Sequence, residues 1–235
     1  MTTGRTWLAG LSALLVLAIV VGVCTPDRQA TVPGAALGPG GREKVSDYTA
    51  RAAASLEHVG PAEERWALLS PTVELDPAVA AELVRGLRTS RVLLRVPLPR
   101  VQTPLDALEV ADQGDLTGEL SELERLAGGH QNALAEVGTG RAAAVAAVVG
   151  TRLTAGCACV VGLVVRGTGD ALRATAARTT VRALELAPSG TGYGGLSVVP
   201  LLPSQTTTVV PGPDDGEVPA VVLPSGGVSG PVPGG

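Results

Sequence analysis

Residues 7–24 (WLAGLSALLVLAIVVGVC) run for eighteen positions without a charge, and no other stretch limits the chain so strongly. A bilayer core of ~30 Å takes about 20 apolar helical residues, with ~17 near the lower limit. Arg5 and the free amino terminus precede the run, whereas Asp27 and Arg28 cancel after it. This bias predicts a cytoplasmic stretch over 1–6, a transmembrane signal-anchor helix over 7–24, and a cell-membrane protein whose C-terminal bulk is extracytoplasmic. A cleaved secretory signal competes with that reading. The run is longer than the ~7–15 residues of a usual signal core, and an A-x-A-like cleavage site is missing. A lipid anchor on Cys24 is a third option, although Val23 stands where such sites want a small residue. All three export the rest of the chain.

The exported part must build its core from small aliphatic side chains. Of 235 residues 45% are hydrophobic, yet there are only two Trp, two Tyr and no Phe. That content suffices for one ordinary core plus tails. A net charge of -4 gives no basic footprint, and scarce aromatics give no base-stacking platform, so a nucleic-acid partner is excluded. Lys44 is the lone lysine among 18 Lys and Arg, a bias that with the Ala, Gly and Val content points to a GC-rich bacterial genome.

Residues 25–41 lack an apolar period and are rich in Pro and Gly, which predicts a linker. From Arg42 the pattern turns helical, with Val45, Tyr48, Ala52, Leu56 and Val59 on one stripe ended by Gly60-Pro61. His58 beside that stripe reads as a surface residue. Trp66 to Leu69 is short and apolar, as expected of a buried strand. Asp76-Pro77 reads as a cap and first helical position, and Val79, Ala80, Leu83, Val84 and Leu87 line one helix face. Residues 92–98 (VLLRVPL) are the returning strand, closed by prolines.

A second strand–helix–strand unit begins near residue 157. Residues 157–165 (CACVVGLVV) form the strongest strand signal, followed by a helix over 171–178 behind an Asp170 cap and a strand over 181–187. Two such units on one antiparallel sheet predict an α+β domain of the ferredoxin-like (split β-α-β) kind over 42–190, with both helices on one side. The insertion between them carries a helical hairpin at about 115–150. Leu116, Leu120, Leu123, Ala127, His130, Leu134 and Val137 step by four and three, a heptad-like coiled-coil seam. Gly128-Gly129 weaken it. The pair could instead run as one long helix broken at its glycines, and the 116–137 helix offers a possible homodimer contact. Residues 191–235 read as a disordered, Pro/Gly-rich tail, since 211–235 hold six Pro and seven Gly.

Cys157-Ala-Cys159 is the one constellation with chemical pull. In an extended strand, i and i+2 side chains share a face, so both sulfurs point the same way while their Cα atoms lie near the ~7 Å limit for bridging. Exported cysteines tend to oxidise, and strained bridges are the more reducible ones. Thiol exchange or capture of copper(I) or zinc are the functional options; a local bridge or two buried thiols is the plain one. No P-loop motif occurs. His58 and His130 lie in no recognisable nucleophile setting. Glu63, Glu64, Glu119, Glu122 and Glu124 read as solvated helix faces, and residues 190–195 (GTGYGG) as a loop.

The order of anchor, helical stretch and α+β domain is similar to that of extracytoplasmic domains of bacterial secretion and pilus-assembly scaffolds, and of propeptide-type subtilase inhibitors. The likeness is architectural and shares no motif residues. The sequence therefore assigns no catalytic residue, no cofactor and no metal ligand. Its leading reading is an anchored domain that binds or scaffolds another envelope protein. The alternative is a thiol-redox or soft-metal protein using Cys157 and Cys159.

Overall fold

The computed structural model describes residues 34–221. Among the described residues, seven strands fall in two sheets. β1 (Ala35–Leu37) and β7 (Leu196–Val198) pair in parallel. The main sheet is antiparallel throughout and contains β2 (Glu64–Pro71), β3 (Arg88–Leu94), β4 (Asp106–Glu109), β5 (Val160–Thr168) and β6 (Val181–Leu186), in the order β4-β3-β5-β2-β6. The described residues also form five α-helices: α1 (Val45–Ser55), α2 (Pro77–Leu83), α3 (Leu116–Val137), α4 (Gly140–Ala155) and α5 (Gly169–Ala176). The architecture is α+β.

Both faces of the sheet are buried, which explains the continuous apolar runs in its central strands. On β2, Ala67 and Leu69 point to one side, where Ala80 and Leu83 of α2, Leu172 of α5 and Leu120 and Val149 of the hairpin meet them. Leu68 points to the other, against Ala35, Leu37 and Leu196 of the small sheet. Period-2 alternation within an all-apolar stretch therefore serves two layers at once.

Several expectations shift in detail. α2 has its Asp76 cap, whose carboxylate accepts the Val79 N–H at 3.0 Å. Val79 itself is exposed, because Pro77, Ala80 and Leu83 set the buried face and the next residue back is turned away by a helical step of ~100°. The cap of α5 is Thr168, not Asp170; its hydroxyl accepts the Ala171 N–H, and Asp170 pairs with Arg173 instead. The hairpin is two helices, broken at Gly138. Its buried stripe is Leu120, Leu123, Glu124, Ala127, Gly128 and Gln131, whereas His130, Leu134 and Val137 are exposed.

The linker and tail expectations also give way within the described residues. Ala35 and Leu37 alternate inward and pair with β7, so the ordered domain starts before residue 42. Leu201 and Val209 fill a cluster with Val45, Tyr48 and Ala183. The Arg42 N–H donates to the Val209 carbonyl at 2.8 Å, and the Val209 N–H donates to that of Glu43 at 2.9 Å. Proline and glycine forbid long ladders here, yet widely spaced single apolar residues still find holes to fill. Among the described residues no helix is long and apolar enough to cross a membrane. The expected span over 7–24 lies outside them.

Candidate functional site

The site is built where α4 hands over to β5. Gly156 closes α4 with φ +84°, a left-handed turn that a side chain would strain. The next three residues, Cys157, Ala158 and Cys159, form a bend, and β5 starts only at Val160. The sequence placed both cysteines inside the strand; the bend is what brings their Cα atoms to 5.3 Å and lets the two sulfurs bond. Both ends of the bend are fixed. The Cys157 N–H donates to Glu124 Oε1 at 3.0 Å, and the Cys159 carbonyl accepts the Arg95 N–H at 2.8 Å.

The two sulfurs have different surroundings. Cys159 is 1% exposed and belongs to the main core, while Cys157 is half-buried and Ala158 between them is exposed. Glu124 Oε1 also lies 3.1 Å from the Cys157 Sγ. A disulfide sulfur carries no proton, so this is a close contact; a thiol at the same place would donate to the carboxylate. Beside Cys157 opens a groove of about 450 Å³ lined also by Asp76, Ser121, Arg125 and Thr154.

Glu124 is the residue that sequence reasoning misplaced. It is 2% exposed. Burial raises its carboxyl pKa above the usual range; the Cys157 N–H acts against that rise, and the nearby Asp76 charge adds to it. Among the described residues no Arg, Lys or His forms an ion pair with it, an expensive arrangement for a buried carboxylate. The signal was present. Leu120, Glu124, Ala127 and Gln131 are spaced four, three and four, which puts Glu124 on the buried stripe.

The other candidates stay apart from this site. His58 and His130 are exposed, Glu63 pairs with Arg65, and Glu122 pairs with Arg125. Residues 190–195 form a loop with a short 3₁₀ turn, where the Tyr193 ring packs 5.2 Å from that of Trp66. A second buried carboxylate, Glu185, accepts the Gly38 N–H and pairs with Arg51, which ties the leading segment to β6. That cluster is satisfied within itself and reads as structural.

Comparison with known proteins finds no matching family model, no matching curated protein and no matching solved structure.

Proposed function

We propose that this chain is a single-pass bacterial envelope protein whose extracytoplasmic domain exchanges disulfides with other proteins through Cys157 and Cys159. The carrying observation is the asymmetry of the bridge, with one sulfur presented beside a groove and its partner shielded in the core. Exchange needs a sulfur that can be reached and a leaving group that stays in place. A three-residue loop also argues against a mainly stabilising role. Closing it withdraws only about 1.5 kcal/mol of chain entropy from the unfolded state, against ~3 kcal/mol for a fifteen-residue loop. The uncharged run over 7–24 supports the membrane placement. The order β6-β2-β5-β3, with Ala80 of α2 and Leu172 of α5 in one cluster, supports the ferredoxin-like reading of the core.

In the exchange, a substrate thiolate attacks the Cys157 Sγ. The bond to the Cys159 Sγ breaks, and Cys159 leaves as a thiolate that takes a proton from solvent. The substrate's second thiolate then attacks the substrate sulfur of the mixed disulfide and expels Cys157. Two substrate thiols become a disulfide, and the same two electrons reduce the cysteine pair. A disulfide of a second protein re-oxidises the pair by the reverse sequence.

Two measurements test this. With oxidised glutathione, the Cys159→Ser full-length chain should form a mixed disulfide at Cys157 at least roughly tenfold faster than Cys157→Ser does at the shielded Cys159, read by peptide mass mapping. Equal rates, or a wild-type bridge that reduced glutathione opens only in denaturant, would rule out exchange. In intact cells, a membrane-impermeant maleimide added after mild reduction should label Cys157. Labelling only after lysis would rule out the external placement.

A second reading, an envelope scaffold or a homodimer through α3, draws on Leu126, Leu134 and Val137, which stand exposed on that helix. It predicts that polar substitutions of these three abolish a complex while leaving the thiol chemistry intact, as sedimentation and thiol titration would show.

A further inference from the structure

We infer that, once the bridge is open, Cys157, Cys159 and Glu124 form a zinc-binding site. Their ligand atoms all lie within 4.8 Å of one another. Zinc takes thiolate sulfur at ~2.3 Å and carboxylate oxygen at ~2.0–2.2 Å, so its ligands stand roughly 3.3–3.8 Å apart in a tetrahedron. Opening the bridge lets the sulfurs separate to that spacing by side-chain rotation. Neither α3 nor β5 has to move.

The donor set selects the metal. Two thiolates with one carboxylate mix soft and hard ligands, which suits a borderline cation. Copper(I) would take the thiolates and leave the carboxylate, while calcium and magnesium want oxygen throughout. Three protein ligands also leave a fourth position, and the groove beside Cys157 and Glu124 supplies room there for water or a substrate atom.

A separate observation points to a cation. Glu124 is buried and has no cationic partner among the described residues, and the Asp76 carboxylate adds negative charge nearby. A divalent ion answers a buried, unpaired carboxylate directly. The bridged state withholds both sulfurs, so metal binding is conditional on reduction. A phosphine reductant opens the bond, taking up oxygen from water and leaving two thiols. Each thiol releases one proton as zinc binds. The inference rests on the exchange reading only in requiring a bridge that opens.

The experiment uses the full-length chain in detergent, reduced with a water-soluble phosphine, desalted without oxygen, loaded with zinc and desalted again. Ellman titration counts the thiols and elemental analysis counts the metal. The reduced chain should hold one zinc, and the oxidised chain less than about a tenth of that. Glu124→Gln should weaken zinc binding at least tenfold without changing the thiol count. Cys157→Ser with Cys159→Ser should abolish it, and Cys24 is kept in every variant. Cobalt(II) should give a thiolate-to-metal absorption band that weakens in the same variants. Full thiol opening without retained zinc would overturn the inference, as would unchanged affinity in Glu124→Gln. Zinc binding after phosphine reduction, with no exchange in glutathione, would sink the exchange reading and leave the metal site standing.

Discussion

At the scale of single residues, Glu124 couples the bend to the pH. Its pKa is raised by burial, so the folded chain holds its proton more tightly than the unfolded chain does. Above the folded pKa the ionised carboxylate lowers stability. That penalty disappears as the pH falls through the folded pKa toward the unfolded value of 4.5. Glu124→Gln keeps an oxygen to accept the Cys157 N–H and removes the charge. With the bridge intact, it should raise Tm at pH 7–8, and the difference should shrink on acidification and vanish below about pH 4.5. Melting curves across that range check it; a difference independent of pH would show that ionisation of Glu124 is not what limits the fold. The sequence showed the Cys-Ala-Cys pair plainly and hid its neighbour, because a glutamate among glutamates reads as solvent-facing until the stripe is counted through it.

At the scale of elements, the hairpin explains one of the two glycines that weaken α3. A Cβ on Gly128 would lie 2.8 Å from the Thr154 backbone nitrogen and 2.9 Å from the Gly150 carbonyl oxygen of α4, so here the helices meet backbone to backbone. Gly129, one step round, faces open space. Gly128→Val should therefore destabilise the domain by about 1–3 kcal/mol through overpacking. Gly129→Ala should stabilise it by roughly 0.5–1 kcal/mol through helix propensity alone. Urea titrations of the two variants separate the effects; equal destabilisation would mean that the helices do not touch at this notch. Helix existence and face were legible from apolar spacing. The β5 start was not, because Cys157 and Cys159 look apolar and β-compatible while their amide and carbonyl are claimed by Glu124 and the Arg95 N–H rather than by a strand.

At the scale of the whole molecule, composition concealed how far the ordered domain reaches. The segments before residue 42 and after residue 190 hold too many prolines and glycines to look folded, but each contributes isolated apolar residues to holes that the main sheet leaves open. Leu196 and Leu37 cover one face of the sheet, and Leu201 and Val209 complete the pocket around Tyr48. Beyond Pro211 the attachments change character. Asp214 and Asp215 pair with Arg141 and Arg100 at the surface, where each pair contributes at most ~1 kcal/mol. Val218 and Val221 pack only partly against the core. Truncation after Pro211 should accordingly cost about 1–3 kcal/mol and leave a cooperative unfolding transition. Truncation after Pro188 removes Leu196, Leu201 and Val209 together, at ~1.5–3 kcal/mol for each buried side chain. A loss of that size approaches the ~5–15 kcal/mol that holds an ordinary domain folded, so the shorter chain should lose its transition altogether. Circular dichroism melts of the two truncated chains decide the matter. If the chain ending at Pro188 unfolds as cooperatively as the full-length protein, the segment from 189 onward is an accessory and the main sheet stands without its second layer.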